Sequence, residues 1–420
     1  MRSEESKTYK HNLIFNLLDG ASFGFGFGFA SFSTVLPLFV STMTSSALLI
    51  GLIPAIHNVG WQFPQLLTAN HINRMERTKP YVMGMTTNER LPYLFIGIIA
   101  LLLPTIGYKW GLILTFLCLV WQGIGAGLTA NAWQILISKV IPADSLATFL
   151  GSQSALSNLL SSASAVLAGI VLEKVAAPYG FAICLIIAFL AYVVSWLFLN
   201  QTVEAPRIIT PDTQKQPSIW KNITHILKTD AIFRNFLFGR FLWQFGMMAF
   251  AFYTVFAVKQ IGMTTITVGI MTSVLMITQT IANPVLGWLA DHWSRKWVLV
   301  IGGLCTVLSA TFAAIIKEPG WFVVVFILAG IANVAFWTIG MSLALEFGND
   351  TEKPVYVGMS NTLIAPATIL APLFGGLLAD SFSYMTTFHV SIIFGLITLA
   401  LLTFFVKDPK AIIKNPSVSN

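Results

Sequence analysis

Residues 287–303 read GWLADHWSRKWVLVIGG. Apolar runs flank this stretch on both sides, roughly 265–290 and 297–316. A hydrocarbon core of ~30 Å takes about 20 apolar residues as helix. In lipid every backbone amide must be satisfied within the chain, so the two runs are expected to be spanning helices. Asp291 falls at the C-terminal end of the first, where the helix dipole disfavours an acid unless a cation faces it. Arg295 and Lys296 supply cations in the tight loop that follows. Gly287, Asp291, Arg295 and Lys296 are therefore read as an interhelical charge clamp.

The same alternation of apolar run and short loop fills the chain. Expected spans are 12–38, 46–70, 80–105, 110–138, 147–172 and 180–199, then 235–258, 265–290, 297–316, 320–346, 355–379 and 383–406. Composition agrees: 56% of residues are hydrophobic and only 10% are charged, too few charges to solvate a soluble surface of this size. The mean hydropathy is +0.77. The expected fold class is an all-α membrane protein of twelve transmembrane helices in two parallel six-helix bundles. The expected domains are an N-terminal bundle at 1–199, a linker at 200–234, a C-terminal bundle at 235–406 and a tail at 407–420. Pro206, Pro211 and Pro217 make the linker extended, although Ile219, Trp220, Ile223, Ile226 and Leu227 share a helical face that would suit the headgroup region.

Basic residues crowd the loops of one side: Arg2, Lys7, Lys10, Arg74, Arg77, Lys79 and Lys139 in the first half, and Arg295, Lys296 and Lys353 in the second. The opposite loops hold only Lys109, Lys174, Lys259 and Lys317. The positive-inside rule then places both termini in the cytoplasm of a plasma (inner) membrane protein. The polar start, Met1 to His11, gives no removable signal peptide. The net charge of +7 is dispersed among loops, so no nucleic-acid partner is expected. Membrane lipids, a small-molecule substrate and protons are the expected partners, with the chain a monomer. Cys118, Cys184 and Cys305 are scattered in apolar runs, and no metal site or cofactor is expected.

Sliding the second half back by 207 positions places Gly330 on Gly123, Ile331 on Ile124, Leu343 on Leu136, Gly358 on Gly151 and Gly376 on Gly169. Two six-span halves repeated the same way up follow from that match.

The Gly287–Gly303 segment resembles the signature loop of the major facilitator superfamily. The first-half equivalent is HINRMERTKP, residues 71–80, with Asn73 in place of the acid and Arg77 matching Arg295. Trp121 to Gly127, WQGIGAG, is similar to a motif of proton-coupled members that carries an arginine three residues before the glutamine. Leu119 stands there, so coupling by that route is not supplied. The resemblance implies alternating access: two bundles rocking around a central site, with the first helix of each half lining it.

Charges inside spans are costly and usually functional. Asp19 in helix 1 and Arg240 at a comparable depth in helix 7 are expected to interact across the halves, the alternative being that each snorkels to the interface. Glu89 and Arg90 fall near the middle of helix 3 if it starts at Pro80, and at the interface if the loop is longer. Buried, Arg90 would replace the arginine missing from helix 4. His57 is a candidate proton carrier. Asn58, Gln62, Asn131, Gln134, Gln244, Gln279, Asn283, Asn333 and Asn361 are cavity candidates, or ordinary interhelical hydrogen-bonding residues. Tyr253 and Trp337 would suit an apolar or aromatic solute. Gly20, Gly24 and Gly28 at four-residue spacing are expected to allow close helix contact.

No nucleotide-binding loop and no nucleophile constellation is present, so an enzyme is not expected. The expected function is a secondary transporter exporting a hydrophobic or amphipathic compound, with proton coupling. Symport of a small polar metabolite, and a non-transporting receptor or lipid-handling protein on the same scaffold, are the alternatives.

Overall fold

The computed structural model describes residues 2–72, 75–206, 226–344, 346–347 and 353–406. Helices α1 (Arg2–Phe29), α2 (Val35–Met43), α3 (Ala47–Ile72), α4 (Lys79–Val140), α5 (Ala143–Lys174) and α6 (Tyr179–Leu199) follow in order. Next come α7 (Ala231–Gly246), a 3-10 stretch (Met248–Phe252), α8 (Tyr253–Ile261), α9 (Thr265–His292) and α10 (Arg295–Ile315). A 3-10 turn (Pro319–Phe322), α11 (Val323–Val334), a π turn (Ala335–Ile339), α12 (Gly340–Ala344), α13 (Lys353–Thr362), α14 (Ala365–Ser381) and α15 (Tyr384–Phe404) complete the chain.

Among the described residues nine segments are long and apolar enough to cross a membrane. One of these is α4, at 62 residues about three times what a bilayer needs. It is two spans folded back on each other at Gly107, whose φ of 78° is open to glycine without strain. Residues equally far from Gly107 face one another: a Cβ on Gly111 would strike Leu103, and one on Gly125 would strike the backbone of Asn88 and Glu89. Splitting α4 adds one pass to the nine, and α1–α2 and α3 add two more, giving the expected twelve among the described residues. The linker's proposed interfacial face lies mostly outside the described residues, as does the tail; Ile226 itself is buried in the second unit's core.

The chain divides into two compact units. The first is Met1–Pro211 with Ala257–Ile277, and the second is Asp212–Phe256 with Thr278–Asn420. The expected linker divides between the two, and the segment 257–277, expected in the C-terminal bundle, clusters with the first unit. The start of α9 explains this. Glu173 at the end of α5 accepts from the Thr265 amide at 3.1 Å and its hydroxyl at 2.7 Å, and Ser273 Oγ donates to the Ser162 carbonyl at 2.5 Å. Between these contacts Gly169 and Gly269 bring the two backbones together.

Within the first unit the α1 glycines behave as expected. A Cβ on Gly20 would run into Gln153, one on Gly24 into the Ser157 backbone, and one on Gly28 into Ser161 and Ser164, all on α5. Gly26, on another face, touches Tyr192 and Ala188 of α6. Small residues let helices approach where lipid supplies no hydrophobic drive for association. In the second unit the equivalent work is done by aromatic packing. Phe252, Tyr253, Phe256, Phe322 and Phe388 form one buried cluster, and Trp243 donates to Thr306 Oγ1 at 2.7 Å.

Two glycine substitutions separate packing from helix propensity. Gly24→Ala forces a Cβ into the α5 backbone and is expected to destabilise the first unit by ~1–3 kcal/mol, as overpacking does. Gly151→Ala meets nothing within 4 Å and is expected to stabilise by ~0.5–1 kcal/mol through helix propensity. Denaturation of the purified variants in mixed micelles measures both.

Candidate functional site

The charged residues of helix 3 are drawn inward by the α4 hairpin. Gly123 and Gly127 lie against Gly60 and Pro64 of α3, while Gly125, on the opposite face, lies against Asn88 and Glu89. The WQGIGAG run is thus a packing device that seats the middle of the first α4 span. Trp121 reinforces it, its indole donating to Asn88 Oδ1 at 3.2 Å. Arg90 is consequently buried, with 5% of its surface exposed, and so is Asp19 at 5%. Arg90 is in the span and not at the interface.

Asp19 and Arg90 face each other across α1 and α4, Nη2 to Oδ1 at 3.6 Å. Ser195 of α6 completes the contact: its hydroxyl donates to Asp19 Oδ1 at 2.5 Å and accepts from Arg90 Nη2 at 2.9 Å. Glu89 is half-buried next to this pair and within electrostatic reach of both Asp19 and Arg90. Arg90 Nε and Nη1 are buried without a hydrogen-bond partner among the described residues. Tyr192, whose ring packs between Phe23 at 5.0 Å and Tyr93 at 4.9 Å, walls one side. One carboxylate, that of Asp19, thus pairs with the guanidinium inside an apolar bundle, with a second, that of Glu89, nearby.

Ser195 is a member of the site that the sequence does not single out. Its only signal is a lone serine in the otherwise apolar second half of α6. Leu119, in the place of a coupling arginine, is a core residue. His57 is half-buried, stacked on Phe32 with ring centroids 4.1 Å apart, and its Nδ1 pairs with Gln122 Oε1 at 3.2 Å. Asn58, Gln62 and Asn131 are half-buried on their helices, and Gln134 is exposed.

Arg240 is fully buried in the second unit, at 0% exposure. Its Nη1 donates to the Ser360 hydroxyl at 3.2 Å and carbonyl at 3.4 Å, and Nη2 to the Phe336 carbonyl at 3.3 Å. The guanidinium lies 4.9 Å from the Phe336 ring centroid and 5.9 Å from that of Phe236. Carbonyl dipoles and ring faces solvate the charge there. Each member of the expected Asp19–Arg240 pair thus has partners inside its own unit, and neither snorkels. Gln244, Gln279, Asn283, Asn333, Trp337 and Asn361 are half-buried. Asn283 donates to the Gln279 carbonyl at 2.8 Å and accepts from Thr338 Oγ1 at 2.9 Å. Tyr253 departs from the expectation of a cavity ring. It is a core residue, its hydroxyl bonded to Ser309 Oγ at 3.1 Å and its ring enclosed by Phe322 and Phe388.

The clamp exists, with a member that the loop sequence does not contain. Arg295 Nη2 meets Asp291 Oδ1 at 3.0 Å, and Nη1 pairs with Glu346, which follows α12. Asp291 is largely exposed, so the better-buried Glu346 carries the interhelical part. Lys296 instead donates to the Thr403 carbonyl at 2.8 Å. At Gly287 a Cβ would meet nothing within 4 Å, so that glycine answers to no close contact.

In the first unit Asn73 lies outside the described residues, and Arg77 is exposed. The acid missing from that loop comes from elsewhere. Glu204, just after α6, accepts from the amides of Thr78 at 2.8 Å and Lys79 at 2.7 Å, and from the Thr78 hydroxyl at 2.8 Å, at the start of α4. Lys139, at the end of α4, meets the same carboxylate at 2.8 Å. Lys139 and Glu346 are repeat counterparts at the 207-residue shift, so the two clamps are built with opposite charges at that position. Burial alone would raise the Glu204 carboxyl, but Lys139 and the three donors at the helix start outweigh it and hold it below the usual glutamate range.

The comparisons with known proteins agree with this architecture. The family model of the Major Facilitator Superfamily matches residues 87–266 and 237–419. An MFS-type transporter of Penicillium citrinum is 24% identical over 131 residues, 31% of this chain and 22% of its own length. An uncharacterised MFS-type transporter of Schizosaccharomyces pombe is 27% identical over 146 residues, 34% of this chain and 32% of its own. Multidrug resistance protein 3 of Bacillus subtilis is 20% identical over 138 residues, 33% of this chain and 27% of its own. The chain thus spans about a fifth to a third of the length of these curated relatives. Among solved structures, a point mutant of the nucleoside transporter NupG has a TM-score of 0.71 at 14% identity, covering 94% of this chain and 100% of that one. The D-xylose–proton symporter has a TM-score of 0.69 at 17% identity, covering 95% and 98%.

Glu204 makes a pH prediction. Its carboxyl is depressed in the folded protein, so the stabilisation is full above the unfolded value of about 4.3 and is lost as pH falls through the lower, folded value. Glu204→Gln is expected to lower the unfolding temperature at neutral pH and to match wild type more closely at strongly acidic pH. A thermal melt across pH checks this.

With a family model matched over most of its length and the fold of that family's solved members, this chain belongs to the Major Facilitator Superfamily of transporters.

Proposed function

We propose that the chain is a secondary active transporter, working by alternating access, that exports a hydrophobic or amphipathic small molecule in exchange for protons. The single observation that carries this is the buried Asp19–Arg90–Ser195 contact with Glu89 next to it. With both acids ionised the group holds one negative charge more than Arg90 cancels. An uncompensated charge in an apolar bundle costs several kcal/mol or more, and a proton removes it. Arg90 supplies from helix 3 the cation that Leu119 does not supply from helix 4. Few charges and many aromatic residues favour an apolar cargo, and the relative named a multidrug resistance protein is in keeping with export. The excess of basic loops on one side supports a plasma-membrane protein with both termini in the cytoplasm.

Inside-out vesicles containing the protein, with ethidium as the reporter cation, test the reading. Wild type is expected to accumulate the dye only when a pH gradient is applied. Asp19→Asn and Glu89→Gln are each expected to remove the gradient response by about tenfold or more while the protein remains folded, a general acid–base contribution being of that order at least. Dye movement indifferent to the gradient in wild type removes proton coupling, and uptake in the opposite direction removes export.

A further inference from the structure

Arg240 joins three elements of the second unit. It stands on α7, its Nη1 reaches Ser360 near the end of α13, and its Nη2 reaches the Phe336 carbonyl in the π turn. A π turn widens the helix, takes carbonyls out of the regular ladder and is frequently found at functional sites. Here one of those carbonyls is held by Arg240.

Next to each contact is a half-buried side chain with hydrogen-bonding capacity. Gln244 is one turn further along α7, on the face of Arg240. Asn361 follows Ser360. Trp337 follows Phe336, the two rings edge to face with centroids 5.1 Å apart. Gln244 Nε2 and Asn361 Oδ1 are shielded from solvent and have no partner among the described residues. Orphaned buried polar atoms are rare, and each costs stability unless something fills it. The donor stands one turn along α7 from Arg240, the acceptor stands beside Ser360, which Arg240 contacts, and the guanidinium's own Nε is also unpartnered among the described residues.

We infer that Gln244, Asn361 and Trp337 form a cargo subsite for a neutral, planar ligand edge that pairs one N–H donor with one carbonyl acceptor, as in an amide or lactam, with Arg240 as its positioning residue. This rests on the transport reading and names the chemistry of its cargo. An anionic group fits less well. Each Nη atom already donates to a protein oxygen, and Gly340 closes over the Nε side, where a Cβ would lie 3.2 Å away. As placed, Gln244 offers a donor and Asn361 an acceptor, and the ligand edge supplies the complement of each. Trp337 supplies the apolar face against which such a ring packs.

The test uses the purified full chain in detergent and three reporter compounds: carbostyril, a bicyclic lactam; its N-methyl derivative, which lacks the donor; and naphthalene, which lacks both groups. In equilibrium dialysis carbostyril is expected to bind, and N-methylation to weaken it about tenfold, the worth of one buried hydrogen bond. Gln244→Leu and Asn361→Leu are each expected to weaken carbostyril by a similar factor and leave naphthalene unchanged. Arg240→Lys is expected to erase the preference for carbostyril over its N-methyl derivative while the protein stays monodisperse. If that variant does not fold, Gly340→Ala, which presses on Nε, takes its place with the same expected loss of preference. Absence of carbostyril binding, equal binding of the lactam and its N-methyl derivative, or wild-type selectivity in both leucine variants overturns the subsite. The vesicle assay separates the two readings. Gradient-driven dye transport without lactam selectivity sinks the subsite alone, and lactam selectivity without any gradient response sinks the coupling alone.

Discussion

A charge surrounded by helices and lipid has no water to turn to, and the carboxylate of Asp19 shows how this chain meets that constraint. It is placed against Arg90, with the Ser195 hydroxyl tying the two together. Close helix contacts in the first unit help to make that placement possible. The glycines of α1 let α5 and α6 close on the helix that carries Asp19. The glycines of the second α4 span let the first span come close enough for Arg90 to point inward. A buried ion pair is weak evidence of stability, since desolvation offsets much of the attraction.

The second unit meets the same constraint differently. Arg240 has no carboxylate within ion-pair distance among the described residues, and its charge is spread over carbonyl dipoles, a hydroxyl and two phenylalanine faces. Dipoles and ring quadrupoles stand in for the missing water. The arrangement also locks a π turn, which an unassisted helix would tend to close. The charge in one unit carries a titratable partner, and in the other it shapes the backbone.

At one end of each unit the clamps repeat this theme with inverted signs. Lys139 holds Glu204 in the first unit, and Glu346 holds Arg295 in the second. The positions of Lys139 and Glu346 correspond at the 207-residue shift, yet they carry opposite charges and meet partners of opposite sign. Coulomb attraction is indifferent to which helix carries which sign. What it requires is that the partner change too, and the partners come from different segments: the strap after α6 in one unit, the loop before α10 in the other.

The twelve spans and the α1 glycine face were legible in the sequence because they are written in period and composition. Length of an apolar run sets a crossing, and four-residue glycine spacing sets a contact face. The clamp arginine, Arg295, was within reach for the same reason, whereas the sequence left Arg90 open between burial and the interface. Partners were not legible. Ser195 lies 176 residues from Asp19, Glu204 lies 126 from Thr78, and Glu346 lies 51 from Arg295. No local pattern encodes which of several polar side chains a distant helix will bring within 3 Å. Tyr253 shows the converse, a plausible cavity ring that packing enclosed. The sequence by itself determined that the chain crosses a membrane many times and which helix faces are small enough to touch. Only the tertiary structure decided which charges meet and which polar atoms are left unmatched, because those depend on how helices cross, and crossing is settled by side-chain packing far apart in the chain.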